Sequence, residues 1–379
     1  MPRKEPNFRF AGFAGEWETR KLGEIGEIVM GQSPNSNNYT EDTEDMVLIQ
    51  GNADLKNGKV VPRIFTKEIT KKAYPGDIIF TVRAPVGEVA ISDIEAVIGR
   101  GVSSIKGNKF IYYDLIYKQN KFYWDRLSSG STFASVNSKD LKSALIKLPS
   151  TQEQEKIGEL FEVLDGLIEK QEAYIQILEE MKKGFLQGLF PKKGQTRPDL
   201  RFAGFEGDWE EKRLKDIITS EIKGKAKASE INPGNVEYLD AERLNGGDII
   251  LTDFDQNVNS EDVLILWDGS KAGAVYSGFA GALGSTLKAF KLEENIDSRF
   301  VYSYLKMHER KINVKYTTPN IPHVVKDFTK IFHILLPSLA EQKKIGEFFE
   351  GLDTRIDLEN RKLDELNDAK KALLQNCLV

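Results

Sequence analysis

The side chains of this chain that could carry chemistry are hydrogen-bonding groups spread over loops, and their types suit the edges of nucleotide bases. Arg and Lys can pair with guanine, and Asn and Gln with adenine. In the N-terminal half these groups are Gln32, Arg83 and Arg100, with Ser33 and Lys106 as expected phosphate contacts. In the C-terminal half Lys271, Asn320 and His323 could reach bases, and the stretch Lys223-Gly-Lys225-Ala-Lys227 offers positive charge to phosphates.

Groups that make or break bonds form no such pattern. The histidines, His308, His323 and His333, fall at no metal-ligand spacing, and the single Cys377 excludes an internal disulfide and a multi-cysteine zinc site. Between Gly51 and Gly58 lie six residues where a phosphate loop needs four, and Val60 stands where Ser or Thr would hold magnesium. The glycine-rich stretch from Gly269 to Gly284 lacks the strand–GxGxxG–helix context of a dinucleotide site. Neither a nucleophile elbow nor the Asn-Pro-Pro-Tyr-like motif of amino-methyltransferases is present. The expectation is a chain without metal, cofactor or catalysis of its own.

Loops need a scaffold. With 379 residues, 40% of them hydrophobic and 29% charged, the chain has the balance of a globular protein of two or three domains. No run of about 18 apolar residues suggests a membrane span, and the N-terminal MPRKEPNFRF lacks the apolar core of a signal peptide, so a cytoplasmic location is expected. The net charge of −5 is unevenly placed: residues 20–150 carry +3 and residues 151–190 carry −5, while 208–337 carry −3 and 338–379 carry −2. A basic balance in the first region suits phosphates; the acidic balance of the third does not.

The sequence repeats itself. PNFRFAGFAGEWETRKLGEI at 6–25 returns as PDLRFAGFEGDWEEKRLKDI at 198–217, aligning Phe10 with Phe202, Trp17 with Trp209 and Leu22 with Leu214. LPSTQEQEKIGELFEVLDGLI at 148–168 returns as LPSLAEQKKIGEFFEGLDTRI at 336–356, aligning Pro149, Glu153 and Gln154 with Pro337, Glu341 and Gln342. Dissimilar regions lie between. Strand, turn and strand recur in them: DIIFTVR at 77–83 followed by GEVAIS at 87–92, and DVLILWDG at 262–269 followed by SKAGAVYSG. The turn residues differ, Arg83-Ala-Pro85 in one half and Asp268-Gly-Ser-Lys271 in the other, as two different recognition surfaces on one scaffold require.

The second repeated segment opens a helix in each half, with a Pro–Ser turn ahead and acidic residues in the first turn. Ile157, Leu160, Leu164, Leu167, Gln171, Tyr174, Leu178, Met181 and Phe185 follow heptad spacing, and Phe161, Ile168 and Ile175 widen the stripe. In the second copy Ile345, Phe349, Leu352, Ile356, Leu363, Leu366 and Leu373 trace the same seam, interrupted by Glu359 and Lys370. A helix of about 35 residues is roughly 50 Å long and cannot bury such a stripe alone. Spacer helices between two heads are expected, with Phe161, Ile168, Ile175, Phe349 and Ile356 as partner-docking residues.

The doubled GxWExxxL at Trp17 and Trp209, the doubled Pro-x-x-x-Glu-Gln at Pro149–Gln154 and Pro337–Gln342, and the weaker pieces Gly31-Gln-Ser-Pro34 and Leu264-Ile-Leu-Trp-Asp-Gly-Ser270 together resemble the specificity subunit of type I restriction–modification systems over nearly the whole chain. The resemblance implies an α/β (α+β) chain with a pseudo-twofold internal repeat: two mixed α/β target-recognition domains, at 1–150 and 192–337, separated by two long antiparallel coiled-coil helices at 151–191 and 338–379. It further implies that each domain reads half of a bipartite double-stranded DNA site. Its implied partners are two methyltransferase subunits, which modify adenine N6 with S-adenosylmethionine, and ATP-dependent restriction subunits. The competing expectation is a duplicated coiled-coil scaffold that binds protein partners and no DNA.

Overall fold

The computed structural model describes residues 5–127, 135–319 and 322–379. They fall into two compact units, Met1–Glu172 with Lys362–Val379, and Ala173–Arg361.

Short runs of β-branched and aromatic residues make the first unit a sheet structure. Ile78–Thr81 and Val102–Ile105 are buried along their whole length. They are adjacent inner strands of a six-stranded sheet in the order Ile28–Met30, Val102–Ile105, Ile78–Thr81, Val89–Ile91, Lys59–Val60, Leu55–Lys56. The expected strand pair is present, antiparallel, with Val89 opposite Phe80. A five-stranded sheet follows the order Tyr39–Thr40, Phe65–Thr66, Met46–Ile49, Ala96–Ile98, Lys72–Ala73. The core joins Trp17, Leu22, Phe80, Phe110 and Trp124 to Phe161 and Leu374 from the two long helices.

The second unit repeats this plan with fewer strands. Ile218–Lys223, Leu287–Leu292, Val263–Leu266 and Val275–Tyr276 form one sheet, and Leu251–Thr252, Val236–Leu239 and Ala282–Leu283 another. Trp209, Leu214, Phe290 and Phe300 fill its core together with Phe190 and Phe349.

The repeated motifs are the joints of each unit. The strand after each tryptophan pairs antiparallel with the strand leading into the long helix, Glu18–Lys21 with Leu145–Leu148 and Glu210–Arg213 with His333–Leu336. The Glu153 carboxylate accepts two hydrogen bonds from the Arg9 guanidinium at 2.8 and 2.9 Å; Glu341 accepts the same pair from Arg201 at 2.8 and 2.7 Å. The Gln154 amide donates to the Pro149 carbonyl and accepts from Asn108, both at 2.9 Å or less. Gln342 donates to the Pro337 carbonyl at 3.0 Å and accepts from the Asp297 backbone N–H at 3.1 Å. Asn108 and Asp297 in turn cap the helices Lys109–Asn120 and Ser298–Met307. Where these helices meet the long ones only glycine fits, since a Cβ on Gly158 would lie 2.8 Å from Lys109 Cβ and one on Gly346 2.5 Å from Asp297 Oδ1. Because Glu153 is buried and Arg9 largely so, Glu153→Ala leaves a guanidinium without its partner. The unfolding free energy is expected to fall by about 3 kcal/mol or more, measured by denaturant titration; an unchanged midpoint would remove the pair from the account of stability.

The long helices run Thr151–Leu189 and Leu339–Cys377. Within the first unit Lys370 pairs with Asp165 at 2.5 Å, and within the second Lys182 pairs with Asp353. In both, later residues of one helix meet earlier residues of the other, so the pair is antiparallel, and the two contacts are equivalent by the repeat. The second helix keeps its expected seam: Ile345 and Phe349 are buried, and Leu352, Ile356, Leu363, Leu366 and Leu373 half-buried. The first helix departs from expectation. Its inward residues are Ile157, Phe161, Leu164, Ile168, Ile175 and Leu178, with Gln171 buried as well, whereas Leu167, Tyr174 and Met181 are exposed. Two apolar stripes lie side by side on this helix at 3.6 residues per turn, and the one that matches the second copy position for position takes the core.

Candidate nucleic-acid interface

In the first unit strand ends converge on a concave site of about 310 Å³ lined by Ser33, Tyr39, Gln50, Asn52, Arg83 and Arg100. Val82 N–H donates to the Gly101 carbonyl and Gly99 N–H to the Ile49 carbonyl, which sets Arg83, Arg100 and Gln50 just past the last ladder bonds. Gly31 lets the backbone close, because a Cβ there would stand 2.1 Å from the Gly99 carbonyl oxygen. Both arginines are exposed, and among the described residues neither forms an ion pair. Ser33 Oγ accepts from the Arg100 backbone N–H at 3.0 Å and its Nε at 3.4 Å, and among the described residues the terminal guanidinium nitrogens make no hydrogen bond. Gln50 donates to the Tyr39 hydroxyl at 2.8 Å, so its amide oxygen stays available as an acceptor. Two guanidinium forks beside amide and hydroxyl groups make a donor-rich surface matched to base edges and phosphate.

Of the expected residues, Ser33, Arg83 and Arg100 are brought together here, and Gln32 is exposed one residue before Ser33. Lys106 lies apart, at the far end of the strand Val102–Ile105 from Arg100. It pairs with Asp77 at 2.9 Å and covers the Tyr74 ring. Burial opposes ionisation of Asp77, yet the bonds from Ser104 and Lys106 hold its carboxyl below the usual carboxylate range, and the Lys106 amine is raised by the same pair. Gln50 and Asn52 are not among the expected residues; parallel pairing of Met46–Ile49 with Ala96–Ile98 brings them to the site.

The same backbone frame recurs in the second unit. Trp267 N–H donates to the Thr286 carbonyl and Gly284 N–H to the Leu239 carbonyl; Gly224 abuts the Gly284 carbonyl as Gly31 abuts that of Gly99. Thr81 opposite Val102 corresponds to Leu266 opposite Leu287, so the register makes Asp268 the counterpart of Arg83. Ser285 then stands for Arg100, Asp240 for Gln50 and Lys225 for Gln32. Arg83 bridges Ser135 as Asp268 bridges His323. Thus His323 sits beside this frame, where its ring nitrogen meets Thr318 Oγ1 at 2.9 Å. Lys223, Lys225 and Lys271 are exposed near it, while Lys227 is paired with Glu230 at 2.8 Å. Asn320 lies outside the described residues.

The docking residues expected on the helices are mostly turned inward. Phe161, Ile175 and Phe349 are buried, and Ile168 and Ile356 half-buried, because the seam consumes them. Exposed instead on the first long helix are Val163, Leu167, Tyr174, Ile177 and Met181, which fall on a single stripe at 100° per residue. The equivalent positions of the second helix hold Gly351, Arg355, Lys362, Glu365 and Ala369.

The family described as Type I restriction modification DNA specificity domain matches residues 14–180 and again 206–368, one match per repeat. The chain belongs to this family. Curated relatives include the putative type I restriction enzyme MjaX specificity subunit of Methanocaldococcus jannaschii, 35% identical over 47% of this chain and 43% of that one. The MjaVIII specificity subunit of the same organism is 34% identical over 44% of this chain and 41% of its own length. Each alignment spans less than half of the relative it matches. Among solved structures, the type I restriction-modification S subunit from M. genitalium superposes over 99% of both chains with a TM-score of 0.71 at 18% identity. A chain from a type I R-M system assembly covers 97% of this chain and 99% of that one at a TM-score of 0.56, with 18% identity. These likenesses extend the specificity-domain fold over the whole length: mixed α/β heads, repeated, with two long antiparallel helices. Among the described residues no helix is long and apolar enough to cross a membrane.

Proposed function

We propose that this chain is the DNA-reading subunit of a type I restriction–modification assembly, with each head contacting one half of a bipartite site. The observation that carries the reading is the pair of equivalent strand-end frames holding different hydrogen-bonding side chains. Common frames with exchanged polar groups suit two readers of different bases, and a protein scaffold would have no need of them. The chain performs no bond chemistry; two methyltransferase subunits modify adenine N6 with S-adenosylmethionine, and restriction subunits consume ATP. The exposed stripe Val163–Met181 is the docking face for a methyltransferase subunit, replacing the buried residues expected from periodicity. The assembly works in the cytoplasm, where the host DNA lies.

Single-molecule sequencing of adenine methylation in host DNA tests this. One split motif is expected, and exchanging residues 20–147 for another family member's head is expected to change one half of it only. Absence of any split motif in a host with active subunits would end the reading, and a change in both halves would end the independence of the heads.

A further inference from the structure

Arg83 and Asp268 occupy the same place in the two heads, past the last ladder bond of the buried central strand, with opposite hydrogen-bonding character. Arg83 offers donors only, and Arg100 beside it in the same concave site adds more. Asp268 offers acceptors only; it is half-buried, and among the described residues its carboxylate has neither an ion pair nor a hydrogen bond. It is not needed for the turn, which is tied by backbone bonds from Asp268 N–H to Thr286 and from Gly269 N–H to Pro322. By contrast Asp240, the other carboxylate of that frame, is occupied in capping the helix Ala241–Leu244 through Arg243 N–H at 2.8 Å.

We propose that these two register-equivalent residues select bases of opposite polarity, Arg83 a guanine in one half-site and Asp268 a cytosine in the other. The inference rests on the DNA-reading function above and adds the identity of one base per head. Guanine presents two acceptors, O6 and N7, in the major groove, matched by a guanidinium fork. A carboxylate requires a donor there, and only the amino groups of cytosine and adenine supply one. Adenine N6 lies beside the acceptor N7, which would face the second carboxylate oxygen; cytosine N4 has no neighbouring acceptor on its groove edge. Lys223, Lys225 and Lys271 near the frame supply the phosphate attraction that a carboxylate cannot.

The test is selection of bound duplexes from a pool of random 40-base-pair DNA by the full chain assembled with its methyltransferase subunits, repeated with Asp268→Asn. The wild type is expected to enrich a two-part motif with cytosine at one position of one half. Asn, which pairs with adenine N6 and N7, is expected to shift that position to adenine and reduce its cytosine preference about tenfold, leaving the other half intact. The intact half shows that the variant is folded. A two-part motif unchanged by Asp268→Asn overturns this inference while the DNA-reading function stands; no enrichment by the wild type overturns both.

Discussion

Replacing Arg83 and Arg100 together by alanine is expected to lower the affinity of the assembled complex for its own duplex by about 100-fold, with the loss confined to one half-site. Each bidentate arginine–guanine contact is worth about 1–3 kcal/mol, and two lost contacts from one concave site give that order. Neither side chain holds the fold: among the described residues neither forms an ion pair, and the hydrogen bonds of Arg100 go to Ser33. The melting temperature should therefore stay where it was. Fluorescence anisotropy with the cognate duplex, and with duplexes scrambled in either half, measures the effect. The double variant should bind the native duplex no better than the wild type binds one scrambled in the first half. An affinity within twofold of wild type would remove the first concave site from DNA reading. Lys106→Ala is the informative contrast. Its amine neutralises the buried Asp77 carboxylate, so it should weaken the first head's stability without relaxing base preference.

An equally large effect is expected at the helices. Val163→Glu with Ile177→Glu should reduce association with the methyltransferase subunit about 1,000-fold, because each substitution would bury a charge without a partner in the bound state. Both side chains are more than half exposed in the chain itself, so its own helix pair should tolerate the change, and circular dichroism should show full helicity. Co-purification and sedimentation velocity read the association. Retained stoichiometric assembly would show that the partner grips another face. Glu365, exposed on the second helix at the position equivalent to Ile177, serves as a control whose substitution should cost little.

The large features were legible in the sequence because they are local. Doubling of GxWExxxL and Pro-x-x-x-Glu-Gln announced two units, and Trp17, Leu22, Trp209 and Leu214 proved to be core and joint residues. The second helix kept its heptad, but the first misled: two apolar stripes fit its period, and choosing between them needed the partner helix. Position-by-position comparison with the second copy would have chosen correctly. Within the heads, Arg83 and Arg100 stood out by residue type alone. Their closeness to Gln50 did not, since it arises from parallel pairing of Met46–Ile49 with Ala96–Ile98 across a long stretch of chain. Asp268 carries no cationic or amide signal for base contact, and its equivalence to Arg83 exists only in the strand register.

The joint built from Arg9, Glu153 and Gln154 repeats the arginine–carboxylate and glutamine–carbonyl contacts of that built from Arg201, Glu341 and Gln342, so either joint presents the same seat to the head it closes. A head exchanged between the joints would meet the same two contacts at its edge, while Asn108 or Asp297, which complete the glutamine bonds differently, would travel with it. A chain of one head and its following helix would keep one such joint whole. Such a product would lack the helix end that completes its core, and a second identical molecule could supply it.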